Sequence, residues 1–349
     1  MKIFLVARDA APSLILERVQ AELQLRGHEV CALLGHGKPL DNFSKESMVA
    51  LALTSDLVLS GMSAAESLTK EEVLAADIAR ENGIPYGFVC DIYGCHKRPW
   101  FAHLRDGASF VFTIPGDEAD AQIVFSHAKV VASGNPCWEE YFRPSAPKEE
   151  TRSRLSLSAQ DKVIFCSGAK DLALNALFMG GVIAAAHLLK RVTGQWSVVI
   201  SRHPGDRNSA QLYDELQEFS VVPVKIVNGS GFENHDLIAA SDVLVAQASN
   251  TGIEAVCMRK PVIHYFTELY LNKMESLGGR VWPPCQLGIA AQVLGDPSAL
   301  AVKILDLLIY GEYEREMLPK QQEIFPDVAD SGAAVRKICD ALESGVVRK

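Results

Sequence analysis

Four short stretches in the second half of the chain carry the residue types that chemistry needs. CSGAKDLALN (166–175) sets Ser167, Gly168 and Lys170 between an apolar run and a helix-like segment, and a small-residue turn with a lysine can wrap a phosphate. SRHPGD (201–206) places Arg202 beside His203, whose position is fixed by the following proline, and both can donate to a diphosphate. NGSGFENHD (228–236), with Gly231 and Phe232, is a glycine-rich loop whose backbone can hydrogen-bond a base edge. In QASNTGIEA (247–255), Ser249, Asn250, Thr251 and Gly252 open a helix, and Glu254 follows on its first turn within reach of a sugar hydroxyl. The N–H groups and dipole of such a helix start form an anion site without any basic side chain. Each stretch has a plainer counterpart. Ser, Asn and Thr are what any helix takes as an N-cap, and the others match a tight turn, a surface His-Pro turn and an ordinary loop. Their common place, at consecutive strand ends, gives them weight together.

The first half offers CDIYGCHKRPW (90–100), where Asp91 ends an apolar run and His96, Lys97, Arg98 and Trp100 follow in a loop. A carboxylate or imidazole there could take a proton from a hydroxyl. A loop acceptor and a surface histidine are the alternatives. After the first strand stands ARDAAPS (7–13), in which Arg8 and Asp9 read as a salt-bridged loop. No D-x-D stands in a loop, so neither a metal nor another cofactor is expected.

These residues need strands to carry them. Apolar, β-rich runs fall at 2–7, 29–34, 55–61, 85–91, 110–115 and 129–134, with helical patterns at 14–27 and 70–82. The alternation restarts at 162–168 and continues with strands at 196–202, 224–228, 243–247 and 261–266. Helices are expected at 174–193, 209–219, 235–240, 253–258, 298–310, 312–324 and 329–344. Near-continuous Val/Ile/Phe runs imply strands covered by helices on both faces. The fold class is therefore α/β: two Rossmann-like, doubly wound parallel-sheet domains facing across a cleft. The polar, proline-containing segment 143–154 is the expected linker, dividing a first domain at 1–147 from a second at 148–349.

Composition sets the outer bounds. The 349 residues suit two domains, and 48% hydrophobic with 22% charged residues is ordinary for a globular protein. A net charge of −9, with Lys and Arg dispersed, excludes a sequence-independent nucleic-acid surface. The start, MKIFLVARD, is too short for a signal-peptide core, and no run approaches bilayer length. The eight cysteines form no C-x-x-C pair and lie mostly in apolar segments, a reduced, cytoplasmic usage.

The succession of strand, His-Pro, strand, glycine loop, helix and a strand–SNTGIEA–helix–KPVI unit resembles the C-terminal half of GT-B-fold sugar-nucleotide enzymes. That superfamily holds glycosyltransferases, wall-polymer glycerophosphotransferases and non-hydrolysing UDP-N-acetylglucosamine 2-epimerases. The resemblance implies that His203, Ser249, Asn250 and Thr251 hold a diphosphate and Glu254 a hydroxyl, while Asp91 or His96 activates an acceptor. It also implies that 1–147 is the acceptor domain and 148–349 the nucleotide-sugar-binding domain, and that the closing FPDVADSGAAVRKICDAL (325–342) packs its helix back on the first. The function implied is metal-independent transfer of a sugar from a nucleotide-diphospho-sugar, such as a UDP-sugar, to a sugar, lipid or protein hydroxyl, as in cell-surface polysaccharide biosynthesis. A 2-epimerase-like enzyme or nucleotide-sugar hydrolase is the alternative, and a non-catalytic nucleotide-binding protein a further one. Two departures stand out: the first loop lacks the glycines many transferases have, and Glu268 is the only carboxylate where epimerases carry an arginine-rich, Glu-containing segment. Neither nucleic acid nor a spanning membrane is an expected partner, and a homodimer is left open.

Overall fold

The computed structural model describes residues 1–38, 44–142, 146–168, 172–203, 206, 210–228, 231–276, 281–326 and 331–346. It divides into two compact units, Met1–Glu139 with Val328–Lys349, and Glu140–Asp327.

The first unit runs β1 (Lys2–Ala7), α1 (Ala10–Leu25), β2 (Glu29–Leu34), α2 (Lys45–Leu53), β3 (Leu57–Gly61), α3 (Lys70–Glu81), β4 (Tyr86–Val89), β5 (Phe110–Thr113), α4 (Glu118–Val124) and β6 (Lys129–Ala132). Its six strands lie in the order β2-β1-β3-β4-β5-β6, all parallel. Alternate residues of one strand feed two cores. Phe4 and Val6 pack with Val58, Phe88 and the α3 alanines, while Ile3, Leu5 and Ala7 pack with Leu57, Leu59 and α1. That double burial is why these strands are apolar throughout.

The second unit runs α5 (Lys148–Arg154), β7 (Lys162–Ser167), α6 (Leu172–Thr193), β8 (Trp196–Ser201), α7 (Ala210–Glu218), β9 (Val224–Val227), α8 (Asn234–Ala240), β10 (Val243–Ala246), α9 (Asn250–Cys257), β11 (Val262–Phe266), α10 (Glu268–Ser276), α11 (Pro283–Gln286), β12 (Ala291–Leu294), α12 (Pro297–Leu308) and α13 (Leu318–Ile324). Its strand order is β12-β11-β10-β7-β8-β9, again parallel. The sheets thus reverse direction between β1 and β3 in one unit and between β7 and β10 in the other. In doubly wound sheets, ligands bind outside the carboxyl ends of the strands at such points.

The final helix, α14 (Ala333–Val346), belongs to the first unit. Val335, Ile338, Cys339 and Leu342 enter the core beside α1. Gly345 lies where an added Cβ would stand 2.2 Å from Phe110 Cζ, so only glycine fits there.

Three expectations need correction. The segment 143–154 is not simply a linker: within it α5 is a helix whose Arg152 is buried, donating to the carbonyls of Ala240 (2.9 Å) and Asp161 (3.0 Å) and to Asp242 (2.8 Å). Its polar composition serves a buried ion pair. One stretch does reach bilayer length, Ala173–Thr193, and it is the core helix α6, packed on β7, β8 and α12. The edge strand β12 escaped notice because it is short and half-exposed.

Candidate functional site

At the β7–β10 reversal, the ends of three strands converge. Ser167 closes β7, and its hydroxyl lies 3.4 Å from that of Thr251 in the first turn of α9. Gly168 follows, its N–H donating to the Ser201 carbonyl at 3.0 Å. A Cβ there would stand 3.1 Å from that carbonyl oxygen and 3.6 Å from the His203 nitrogen, so glycine lets the β7 and β8 loops close on each other. Ser249 is extended and caps α9, its hydroxyl accepting from Thr251 N at 3.1 Å. The structure therefore brings Ser167, Gly168, His203 and the Ser249–Gly252 turn to one edge, with half-buried Glu254 one turn along α9.

Two other groups are engaged or distant. Arg202 lies over the Tyr213 ring at 4.4 Å, its Nε 3.6 Å from Asp206. Gly231 and Phe232 follow β9, the edge strand, and are held by Arg154 of α5, which donates to the Gly231 carbonyl and lies over the Phe232 ring at 4.4 Å. Lys170 lies outside the described residues.

Gly252 has a reason that spacing alone did not reveal. A Cβ on it would stand 2.7 Å from Cε1 of His264, a fully buried histidine in the middle of β11. The His264 Nδ1–H donates to the Gln247 carbonyl at 2.9 Å, fixing the tautomer that leaves a lone pair on Nε2. Burial pushes this imidazole down to about 4, so it is neutral at physiological pH. Trp282 packs edge-on to the ring at a 6.1 Å centroid distance. Gln247 and His264 are polar residues in or beside apolar strands, and that misplacement was their only sign in the sequence.

In the first unit, Asp91 follows β4, is 5% exposed, and pairs with Arg98 at 3.0 Å. His96 is corrected from a loop histidine to a fully buried one. Its Nδ1 lies 3.2 Å from Asp117 and its Nε2 3.0 Å from Asp120, which also pairs with Lys97. Burial works to raise the Asp120 carboxyl, but the bonds from Lys97 and His96 hold it below the usual range. His96, Asp117 and Asp120 are the group among the described residues with metal-ligand geometry. Because the two ring nitrogens face different carboxylates, the arrangement is that of a clamped imidazole. Nε2 is taken by Asp120, while Nδ1 faces Asp117 without a hydrogen bond, and the ring as a whole is closed off from solvent.

The carboxylate at the first unit's own reversal is Glu72 on α3, which is fully buried. It accepts from Arg8 N (3.0 Å) in the loop after β1, and from Ser63 N (2.9 Å) and Ser63 Oγ (2.6 Å) after β3. Burial raises its carboxyl to about 7 against the pull of those donors. Arg8 pairs with Glu71 at 3.4 Å, and Asp9 caps α1, as a salt-bridged loop would.

No protein-family model matches the chain, and no curated protein matches it in sequence. Solved structures do match in fold. UDP-GlcNAc 2-epimerase from Neisseria meningitidis, bound to UDP-GlcNAc, is similar at 16% identity and TM-score 0.64, over 99% of this chain and 100% of its own. A glycosyltransferase from Rickettsia africae is similar at 12% identity and TM-score 0.64, over 100% and 99%. The wall teichoic acid polymerase TagF is similar at 13% identity and TM-score 0.54, over 99% and 88%. The chain therefore shares the GT-B fold of these structures, two Rossmann-like units, along essentially its whole length.

Proposed function

We propose that the protein is a GT-B glycosyltransferase that takes a nucleotide-diphospho-sugar, with UDP as the first nucleotide to try, and needs no metal. The observation that carries this is the β7–β10 reversal, where small and hydroxylated residues meet the N-terminus of α9. The helix dipole, the hydroxyls of Ser167 and Thr251, and His203 would offset charge gathering on the departing diphosphate. Arg202, held by Asp206 and Tyr213, supports that edge from behind, and Glu254 is given the ribose or sugar hydroxyl. The acceptor oxygen forms its bond to the sugar anomeric carbon as the bond from that carbon to the diphosphate oxygen breaks. Asp91 takes the acceptor proton. His96 is given no chemical role.

A 2-epimerase-like reaction is the second reading, favoured by the whole-length likeness to the Neisseria meningitidis epimerase. Acceptor dependence separates the two. A transferase incubated with UDP-sugars releases UDP in proportion to added acceptor. Release or sugar interconversion without any acceptor would overturn the transferase in favour of the epimerase or hydrolase.

A further inference from the structure

The polar atoms around the first turn of α9 are poorly matched. Gln247 is 4% exposed, and neither its amide oxygen nor its amide nitrogen has a hydrogen-bond partner among the described residues. The same holds for Nε2 of His264, Oδ1 of Asn250 and Nε1 of Trp282. Three contacts of His264 gather these groups: it bonds the Gln247 backbone, packs on Trp282, and sets Nε2 beside Gly252 in the turn that Asn250 opens. A buried polar atom without a partner costs stability, and natural proteins keep few of them. Five at one helix start, on residues from three separate elements, point to a ligand.

Their chemistry restricts that ligand. Gln247 presents a donor and an acceptor side by side, Asn250 Oδ1 and His264 Nε2 accept, and Trp282 donates. None is charged, and the paired donor and acceptor of the Gln247 amide match a neutral group that offers both. Topology orients it: β10 lies between β7 and β11, whereas β9, the strand that the Gly231 loop follows, lies on the other side of β7. A diphosphate at the α9 N-terminus with its nucleoside towards β9 turns its sugar towards β10 and β11.

We infer that the Gln247 amide, with Asn250, His264 and Trp282 around it, is a sugar-recognition subsite for a neutral group bearing a donor and an acceptor together. A vicinal diol and an acetamido group both have that chemistry. The inference rests on the diphosphate site proposed above.

The test uses the whole chain and isothermal titration with UDP, GDP, CDP, dTDP and ADP, each alone and as its glucose and, for UDP, its N-acetylglucosamine conjugate. Gln247→Leu should leave the affinity for the nucleoside diphosphate unchanged and weaken the sugar conjugate about tenfold, the scale of one buried hydrogen bond. Without ligand it should melt no lower than the native protein, because two unpaired atoms are gone. Trp282→Phe, which keeps an aromatic ring beside His264, should show the same selective loss and carries the test if Gln247→Leu does not fold. Loss confined to the glucose conjugate marks the diol, and loss confined to the acetamido sugar marks that group. Unchanged conjugate affinity in both variants would overturn the subsite while the diphosphate site stands, as would a lowered ligand-free melting temperature in both. Native protein that binds none of the diphosphates overturns both.

Discussion

Glu72 and His264 are buried titratable groups of opposite tendency, and stability must record both. Native Glu72 keeps its proton up to about 7, whereas an unfolded glutamate releases it near 4.5. Between those values the native state binds more protons, so this group's contribution falls as pH rises, by about 3 kcal/mol across the window. Native His264 stays unprotonated down to about 4, against 6.5 unfolded, so its contribution rises over that interval. The two oppose each other between pH 4.5 and 6.5. Melts from pH 4 to 8 should show Glu72→Gln keeping only the rise and His264→Leu only the fall; an unaltered native profile in either variant would refute the assignment. Gly252→Ala should cost about 1–3 kcal/mol in chemical denaturation, since its methyl meets the imidazole. Adding His264→Ala should return part of that loss, because the two side chains share one space. At this scale the sequence was only half legible. Ser167, His203 and Ser249–Thr251 could be picked by type and by their place at strand ends. Gln247, His264 and Glu72 could not, because what distinguishes them is burial and partner geometry. His96 misled for the same reason: Asp117 and Asp120, which enclose it, come from the approach to α4 and from α4 itself.

At the scale of elements, α5 shows how a helix can pass for a linker. KEETRSR has no apolar face, so hydrophobic periodicity is silent. Its attachment is Arg152, together with the Lys148–Asp242 pair at 2.7 Å. Burial works to raise the Asp242 carboxyl, yet the bonds from Lys148 and Val163 N hold it low. Arg152→Ala leaves that carboxylate and two buried carbonyls short of a donor and should destabilise the second unit by about 3 kcal/mol or more, read from urea midpoints. A change below 0.5 kcal/mol would mean that α5 is held otherwise. The last helix, by contrast, was legible in its amphipathic pattern. Ending the chain before Ala333 should unfold the first unit, seen as lost helical circular dichroism, because Ile338, Cys339 and Leu342 cover the α1 side of its sheet. The central strands were equally plain, since burial on both faces writes an unbroken apolar run. The edge strand β12, with less to bury, left no such run.

Across the whole molecule, two parallel sheets each reverse their strand order once. The second reversal gathers cap, hydroxyls and unpaired amides; the first is tied shut by Glu72. The fold is shared with enzymes of more than one reaction type, so architecture alone does not choose the chemistry. The ligand does. The most direct measurement is a thermal-shift panel of UDP, GDP, CDP, dTDP and ADP with their sugar conjugates, on the native protein and on His203→Ala and Glu254→Ala. At a hundredfold excess over its dissociation constant, a ligand adds about 2.7 kcal/mol, enough to raise the melting temperature by several degrees. One diphosphate should stabilise the native protein, and both variants should lose that gain while melting normally without ligand. A flat panel on the native protein would contradict the account and leave the Ser249–Thr251 turn as a helix cap alone.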